Sequence, residues 1–141
     1  MKENLVSAFD LDDFENLEQA VLTIKNPITG EPTSASITLA SKEHPFRKKI
    51  DMSRARKLRS AYLRNGNKMP NTDPLEEFDE ETDYLVGVTI GWNLTQGGKE
   101  LKLTPESARA LYTDSKKVFV REQVLEALNK NELFIQNSVK A

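Results

Sequence analysis

Residues 20–40 read AVLTIKNPITGEPTSASITLA, two strand-like runs around a loop that holds Pro27, Gly30 and Pro32. In the first run Val21, Thr23 and Lys25 fall on one face and Leu22 and Ile24 on the other. In the second, Ala35, Ile37 and Leu39 share a face. Proline removes a ladder donor and glycine favours reversal, so the stretch predicts a β-hairpin.

Toward the C-terminus the period changes. Residues 45–65 predict a helix, with Ser41 or His44 at its entrance and Pro45 in the first turn, where a missing N–H costs nothing. Phe46 and Ile50 share a face, and Met52, Ala55, Leu58 and Tyr62 continue one at three- and four-residue spacing. Asn65-Gly66-Asn67 stops it, and KMPNTDPLEEF, with Pro70 and Pro74, reads as a surface loop. Residues 78–93 fit two templates. TDYLVGVTIGW is β-branched, yet Leu85, Val88 or Thr89, and Trp92 share a helical face, and the acids Asp79–Glu81 complement a helix N-terminus; the stretch is read as helix. Gln96-Gly97-Gly98-Lys99 is a turn between short extended arms. Thr104-Pro105-Glu106 starts a helix that ends near Tyr112. Asp114 or Ser115 caps another, lined by Val120, Val124, Ala127 and Leu128. The expected fold is α+β: an N-terminal β-hairpin packed on a bundle of about four helices, with a small turn or hairpin at 94–103. The expected divisions are an acidic arm at 1–19, one domain at 20–135 and a tail at 136–141.

Charge is sorted into blocks although the net charge is only −2. Residues 3–18 hold six acids and no base, residues 47–68 nine bases against Asp51 alone, and residues 73–83 seven acids. Such blocks either recognise a partner or satisfy one another, and the near-neutral total favours the second. The basic stretch is the main argument for nucleic-acid binding, but Tyr62 alone interleaves it with an aromatic ring, so nucleic acid is disfavoured as a partner.

Catalytic and metal chemistry find little purchase. With no cysteine there is no disulfide or thiolate ligand, and His44 is the single histidine, without a GxSxG or HExxH pattern around it. The acids at 73–83 lack the order and glycine of a calcium loop, and Gly97-Gly98-Lys99 is too short for a phosphate cradle. The expectation is a non-enzyme without cofactor or metal. No apolar run approaches the roughly 20 residues that cross a bilayer, and no basic-then-apolar leader opens the chain, so cytoplasmic residence is expected.

Three segments carry a resemblance. ITLASKEHPFRKK after the TGEPT turn, IGWNLTQGGKELKLTPESARALYTD, and VREQVLEALNKNELFI are together similar, in order and spacing, to the tail assembly chaperones of long-tailed bacteriophages and prophages. The similarity spans roughly residues 20–135, with the second glycine and the lysine of QGGKE as a departure. The resemblance implies a non-catalytic protein of the host-cell cytoplasm that binds the helix-rich tape measure protein and keeps it soluble. It would support assembly of the tail tube around that partner, with the major tail tube protein as a second contact, self-association left open, and in many members a longer frameshifted form. Trp92, Tyr112, Phe119, Phe134 and Ile135 are the expected partner-facing residues, because aromatic side chains anchor interfaces. Arg54, Arg56, Lys57 and Arg59 are expected to steer the encounter. The competing readings are a structural tail component retained in the virion and a small nucleic-acid-binding protein using the helix at 47–64.

Overall fold

The computed structural model describes residues 18–68 and 73–130. The expected arm lies almost wholly outside these residues, as do the tail at 136–141 and the apolar tip at Leu133–Ile135. Strands β1 (Gln19–Lys25) and β2 (Pro32–Ala40) form the predicted hairpin, antiparallel, with Val21 opposite Thr38 and Leu22 opposite Ile37. Its loop closes on Asn26, whose side-chain oxygen accepts from the backbone N–H groups of Ile28 and Thr29 at 2.8 and 3.2 Å. Gly30 takes φ +75°, a left-handed conformation open to glycine at no steric cost.

Helix α1 (Pro45–Arg64) follows, starting where predicted and ending one residue earlier at the cap Asn65, its first turn capped by His44 Nδ1, which accepts from the Phe46 N–H at 3.1 Å. Helix α2 spans Pro74–Val88 and strand β3 spans Thr89–Asn93. This corrects the expected loop and the expected helix at 78–93. The helix starts earlier because Asp73 accepts from the Leu75 N–H, Pro74 takes the first helical position and Glu76 and Glu77 fill the first turn. It ends earlier because Thr89 turns extended, and its hydroxyl donates to the Leu85 carbonyl at 2.7 Å. The β-branched run beyond finds a free edge on β2, pairing Ile37 with Trp92 and Thr38 with Gly91. Tertiary pairing thus overrides a helical spacing.

The sheet order is β1-β2-β3, all antiparallel, with α1 and α2 forming the connection from β2 to β3. A two-residue-per-strand hairpin, β4 (Thr95–Gln96) and β5 (Lys99–Glu100), precedes α3 (Pro105–Thr113). Thr104 and Ser107 cap α3 reciprocally, as the Thr-Pro-Glu signal predicts. Asp114 caps a 3-10 turn at Ser115–Lys117, and α4 (Val118–Asn129) closes the described chain. The architecture is α+β, a hairpin within a three-stranded sheet and four helices.

The core joins the inner face of the hairpin (Ile37, Leu39) to α2 (Leu85, Val88), α3 (Tyr112) and α4 (Val124). The outer margin of β1 is held by Gln123 of α4, whose amide donates to the Lys25 carbonyl at 3.0 Å and whose oxygen accepts from the Lys25 N–H at 2.8 Å. Two buried arginines tie the layers together. Arg47, at the start of α1, donates to the Tyr84 hydroxyl (2.7 Å) and the carbonyls of Ala40 (3.1 Å) and Leu128 (3.4 Å). Arg121 of α4 donates to Glu81 (2.8 Å), Thr82 (2.8 Å) and the Tyr112 carbonyl (3.0 Å), with its guanidinium 3.9 Å above the Phe78 ring. Burying such a cation is tolerable because its donors are satisfied.

Candidate docking surface on helix α1

Helix α1 runs 20 residues, yet Arg47 is its one buried side chain. The face that packs is Arg47, Ile50 and Arg54, laid against α2. Ile50 approaches Gly87, where an added Cβ would stand 2.6 Å from the Ile50 Cδ1, so glycine lets the two helices meet. Arg54 stacks over the Tyr84 ring at 4.4 Å, with Arg47 on the same ring at 5.7 Å. Burial pushes the Tyr84 hydroxyl above its ordinary pKa, and the charge of Arg47 partly opposes the shift.

The sequence expects Met52, Ala55, Leu58 and Tyr62 to form a packing row. Instead the row stays open, Met52 56% and Leu58 50% exposed, with Leu63 at 60%. Met52 and Leu63 sit about three turns apart on the side away from α2, and Lys48, Lys49, Arg56 and Arg59 flank them at helical spacing. The outer face of α1 therefore carries two separate open apolar side chains, with Arg56 and Arg59 along the face between them.

Among the described residues, two acids of the 73–83 block are paired away from this face. Glu81 is taken by Arg121, and Asp83 pairs with Arg109 of α3. Among the described residues Arg56, Lys57 and Arg59 make no ion pair, while Lys48 meets Glu43 at 3.1 Å and Arg47 faces Asp51 at 3.9 Å. Of the four expected steering residues, Arg56, Lys57 and Arg59 are exposed and unpaired, and Arg54 is turned onto Tyr84.

The expected aromatic patch is placed differently. Tyr112 is 1% exposed, its hydroxyl bonded to that of Thr89 at 2.6 Å, so it is a core residue and offers no surface to a partner. Burial pushes its pKa up to about 12. Trp92 is half-buried and its indole N–H donates to the Leu101 carbonyl at 2.7 Å, clipping β3 to the segment after β5. Phe119 is half-buried against the core. Phe134 and Ile135 lie outside the described residues. Met52 fits a packing row at three- and four-residue spacing, which hides its exposure, and Leu63 belongs to no row that the sequence singles out. The available signal was that the apolar residues of α1 are scattered around its circumference among bases, leaving no wide apolar face.

Among the described residues no group of three or more His, Asp or Glu side chains is placed to hold a metal ion, and no helix is long and apolar enough to cross a membrane. Compared with models of known families, with curated proteins and with solved structures, the chain matches none.

Proposed function

We propose that this protein is a non-catalytic tail assembly chaperone that binds the tape measure protein and keeps it soluble until tail-tube subunits enclose it. The observation that carries the reading is the outer face of α1, where Met52 and Leu63 are open to solvent with the unpaired Arg56 and Arg59 between them, on a helix otherwise anchored by Arg47 and Ile50. A partner helix with an apolar stripe gains about 25 cal/mol for each Å² it buries, and surrounding charge guides the approach. Several weak contacts of this kind along one long partner give retention without trapping. The partner is named from the resemblance of three segments, in order and spacing, to the tail assembly chaperones. Phe134 and Ile135 remain in the proposal as a second contact, whereas Trp92 and Phe119 contribute what their half-exposed surfaces leave free.

The test is co-expression with the tape measure protein, reading the soluble fraction of that partner. Met52→Asp with Leu63→Asp lowers it toward the level without chaperone; an unchanged fraction removes α1 from the interface. The same assay with Phe134→Asp and Ile135→Asp decides the second contact. Mass spectrometry of purified particles separates a chaperone, absent from the virion, from a structural tail component.

A nucleic-acid reading is favoured by one observation, the unpaired Arg56, Lys57 and Arg59. Phosphate tracks need no exposed methionine and leucine among the cations, so it ranks second. A mobility shift that changing these three residues to alanine abolishes is its expected signature, with a steep dependence on salt.

A further inference from the structure

Past the last turn of α1 stands Asn65-Gly66-Asn67, and Asn65 is the one asparagine of the chain followed by glycine. The Asn65 N–H donates to the Ala61 and Tyr62 carbonyls at 3.0 and 3.2 Å, and its side-chain Nδ2 donates to the Lys68 carbonyl at 3.2 Å. Asn65 and Gly66 are both exposed. Gly66 takes φ +65°, and beyond its chain neighbours no heavy atom lies within 4 Å of where a Cβ would stand. The Asn67 N–H closes back on the Tyr62 carbonyl at 3.0 Å, so the cap bonds pass over Gly66. Among the described residues no hydrogen bond holds the Gly66 N–H.

That nitrogen follows directly on a carboxamide. A backbone nitrogen attacks the side-chain carbonyl of the residue before it only after losing its proton and swinging toward the Cγ. A hydrogen bond to the N–H resists the first step, and a Cβ on the attacking residue crowds the second. Gly66 has neither obstacle.

We infer that Asn65-Gly66 is a site of spontaneous covalent modification, at which the Gly66 nitrogen attacks the Asn65 side chain and the carboxamide becomes a carboxylate. Hydroxide takes the Gly66 N–H proton. The N–Cγ bond forms, the Cγ–Nδ2 bond breaks and ammonia leaves, closing a cyclic imide. Water then adds to one ring carbonyl and opens it. Opening at Cγ restores the normal chain with an aspartate, and opening at the main-chain carbonyl sends the backbone through the side chain, longer by one methylene. The sum is carboxamide plus water giving acid plus ammonia, with nothing oxidised or reduced. Closing the ring turns Asn65 away from its ψ of 27°, so the reaction proceeds from an opened cap and its rate follows fraying of α1. Either product sets a negative charge at the C-terminal end of α1, where the helix dipole disfavours it, and removes the Nδ2 donor to Lys68. The lengthened backbone also spoils the spacing that lets the Asn67 N–H reach Tyr62, so the last turn, with Leu63, loosens.

The test holds the full-length protein at mildly alkaline pH and maps it by digestion and mass spectrometry at intervals. A gain of one mass unit, with an isoaspartyl share, is expected at Asn65 about tenfold faster than at Asn26, Asn67, Asn93 or Asn129, a barrier lower by about 1.4 kcal/mol. Gly66→Ala is expected to slow it about tenfold. Because alanine is strained at this φ, the same pair is compared in urea, where the cap is open in both; there the contrast persists and the parent converts severalfold faster than when folded. Circular dichroism of the converted protein is expected to show the loss of about one helical turn, and Asn65→Asp, which adds the charge without lengthening the backbone, less than that. Conversion at Asn65 no faster than at the other asparagines overturns the inference, as does a Gly66→Ala rate equal to the parent's in urea. Equal folded and unfolded rates overturn the dependence on the cap. The tape measure protein takes no part in these measurements, so their failure leaves the proposed function standing.

Discussion

Helices α1 and α4 both carry apolar residues at three- and four-residue intervals, and the fold treats them in opposite ways. In α4, Val120, Val124, Ala127 and Leu128 are all buried, and the one arginine among them, Arg121, is buried with its donors satisfied. In α1, Met52, Leu58 and Leu63 are half or more exposed, and its buried arginine lies at the first turn, where the helix leaves the sheet. The difference lies in continuity. The α4 residues make one stripe wide enough to meet the sheet, whereas in α1 the apolar positions circle the helix and cations interrupt every row. Spacing alone does not tell a core face from a face left open.

The sharpest way to break this comparison is at the arginines. Arg121→Ala leaves Glu81, Thr82 and the Tyr112 carbonyl without their donor and is expected to cost about 3–5 kcal/mol in chemical denaturation. Arg59→Ala, an exposed counterpart on α1, is expected to change stability by less than about 0.5 kcal/mol. Equal effects would erase the distinction.

A second test uses pH. Tyr112 titrates near 12 when folded against 10.0 for the ordinary group, so the folded state holds the proton more tightly. Its contribution, about 3 kcal/mol, is fully present below pH 10 and is lost as pH rises toward 12. Tyr112→Phe is expected to flatten that alkaline loss, leaving the smaller slope from Tyr84, whose pKa burial also raises. Denaturation midpoints measured between pH 9 and 12 check it.

The α1–α2 junction gives a smaller effect. Gly87→Ala offers about 1 kcal/mol of helix propensity but meets the Ile50 Cδ1. In the parent the two terms nearly cancel, and in Ile50→Val, which lacks that methyl, the same change is expected to stabilise by about 0.5–1 kcal/mol. A double-mutant cycle reads the coupling. The smallest effect belongs to the open side chains themselves: Met52→Ala and Leu63→Ala should each shift stability by less than about 0.5 kcal/mol, since neither removes core volume. A loss of about 2 kcal/mol at either would mean that α1 buries this face after all.

The hairpin, the start of α1 and the Thr-Pro-Glu start of α3 were legible because each is written in local chemistry: turn residues, a proline at the first helical position, a capping hydroxyl. Asp73-Pro74-Leu75-Glu76 is the same signal as Thr104-Pro105-Glu106, and it was hidden by reading two prolines as loop. The change from helix to strand at Thr89 was not local. Leu85, Val88 and Trp92 satisfy a helical spacing, and the edge of β2 that claims residues 89–93 lies some fifty positions earlier in the chain. The partner-facing aromatics fared least well for a physical reason. A tyrosine placed by composition alone has no way to declare its hydroxyl partner, and Thr89 supplies one inside the core. The near-neutral total favours charge blocks that satisfy one another, yet Arg56, Lys57 and Arg59 make no ion pair among the described residues, because Glu81 and Asp83 go to Arg121 and Arg109.

The carboxamide of Gln123 has a consequence for how copies of this molecule meet one another. By donating to and accepting from the Lys25 backbone, it fills the hydrogen-bonding positions at that end of β1 where an incoming foreign strand would begin to zip. Gln123→Ala should unblock that rim, and accelerated fibril seeding at high concentration is the behaviour to watch for. A side chain standing in for a neighbouring strand is a guard against templated growth, built from one residue on the last described helix.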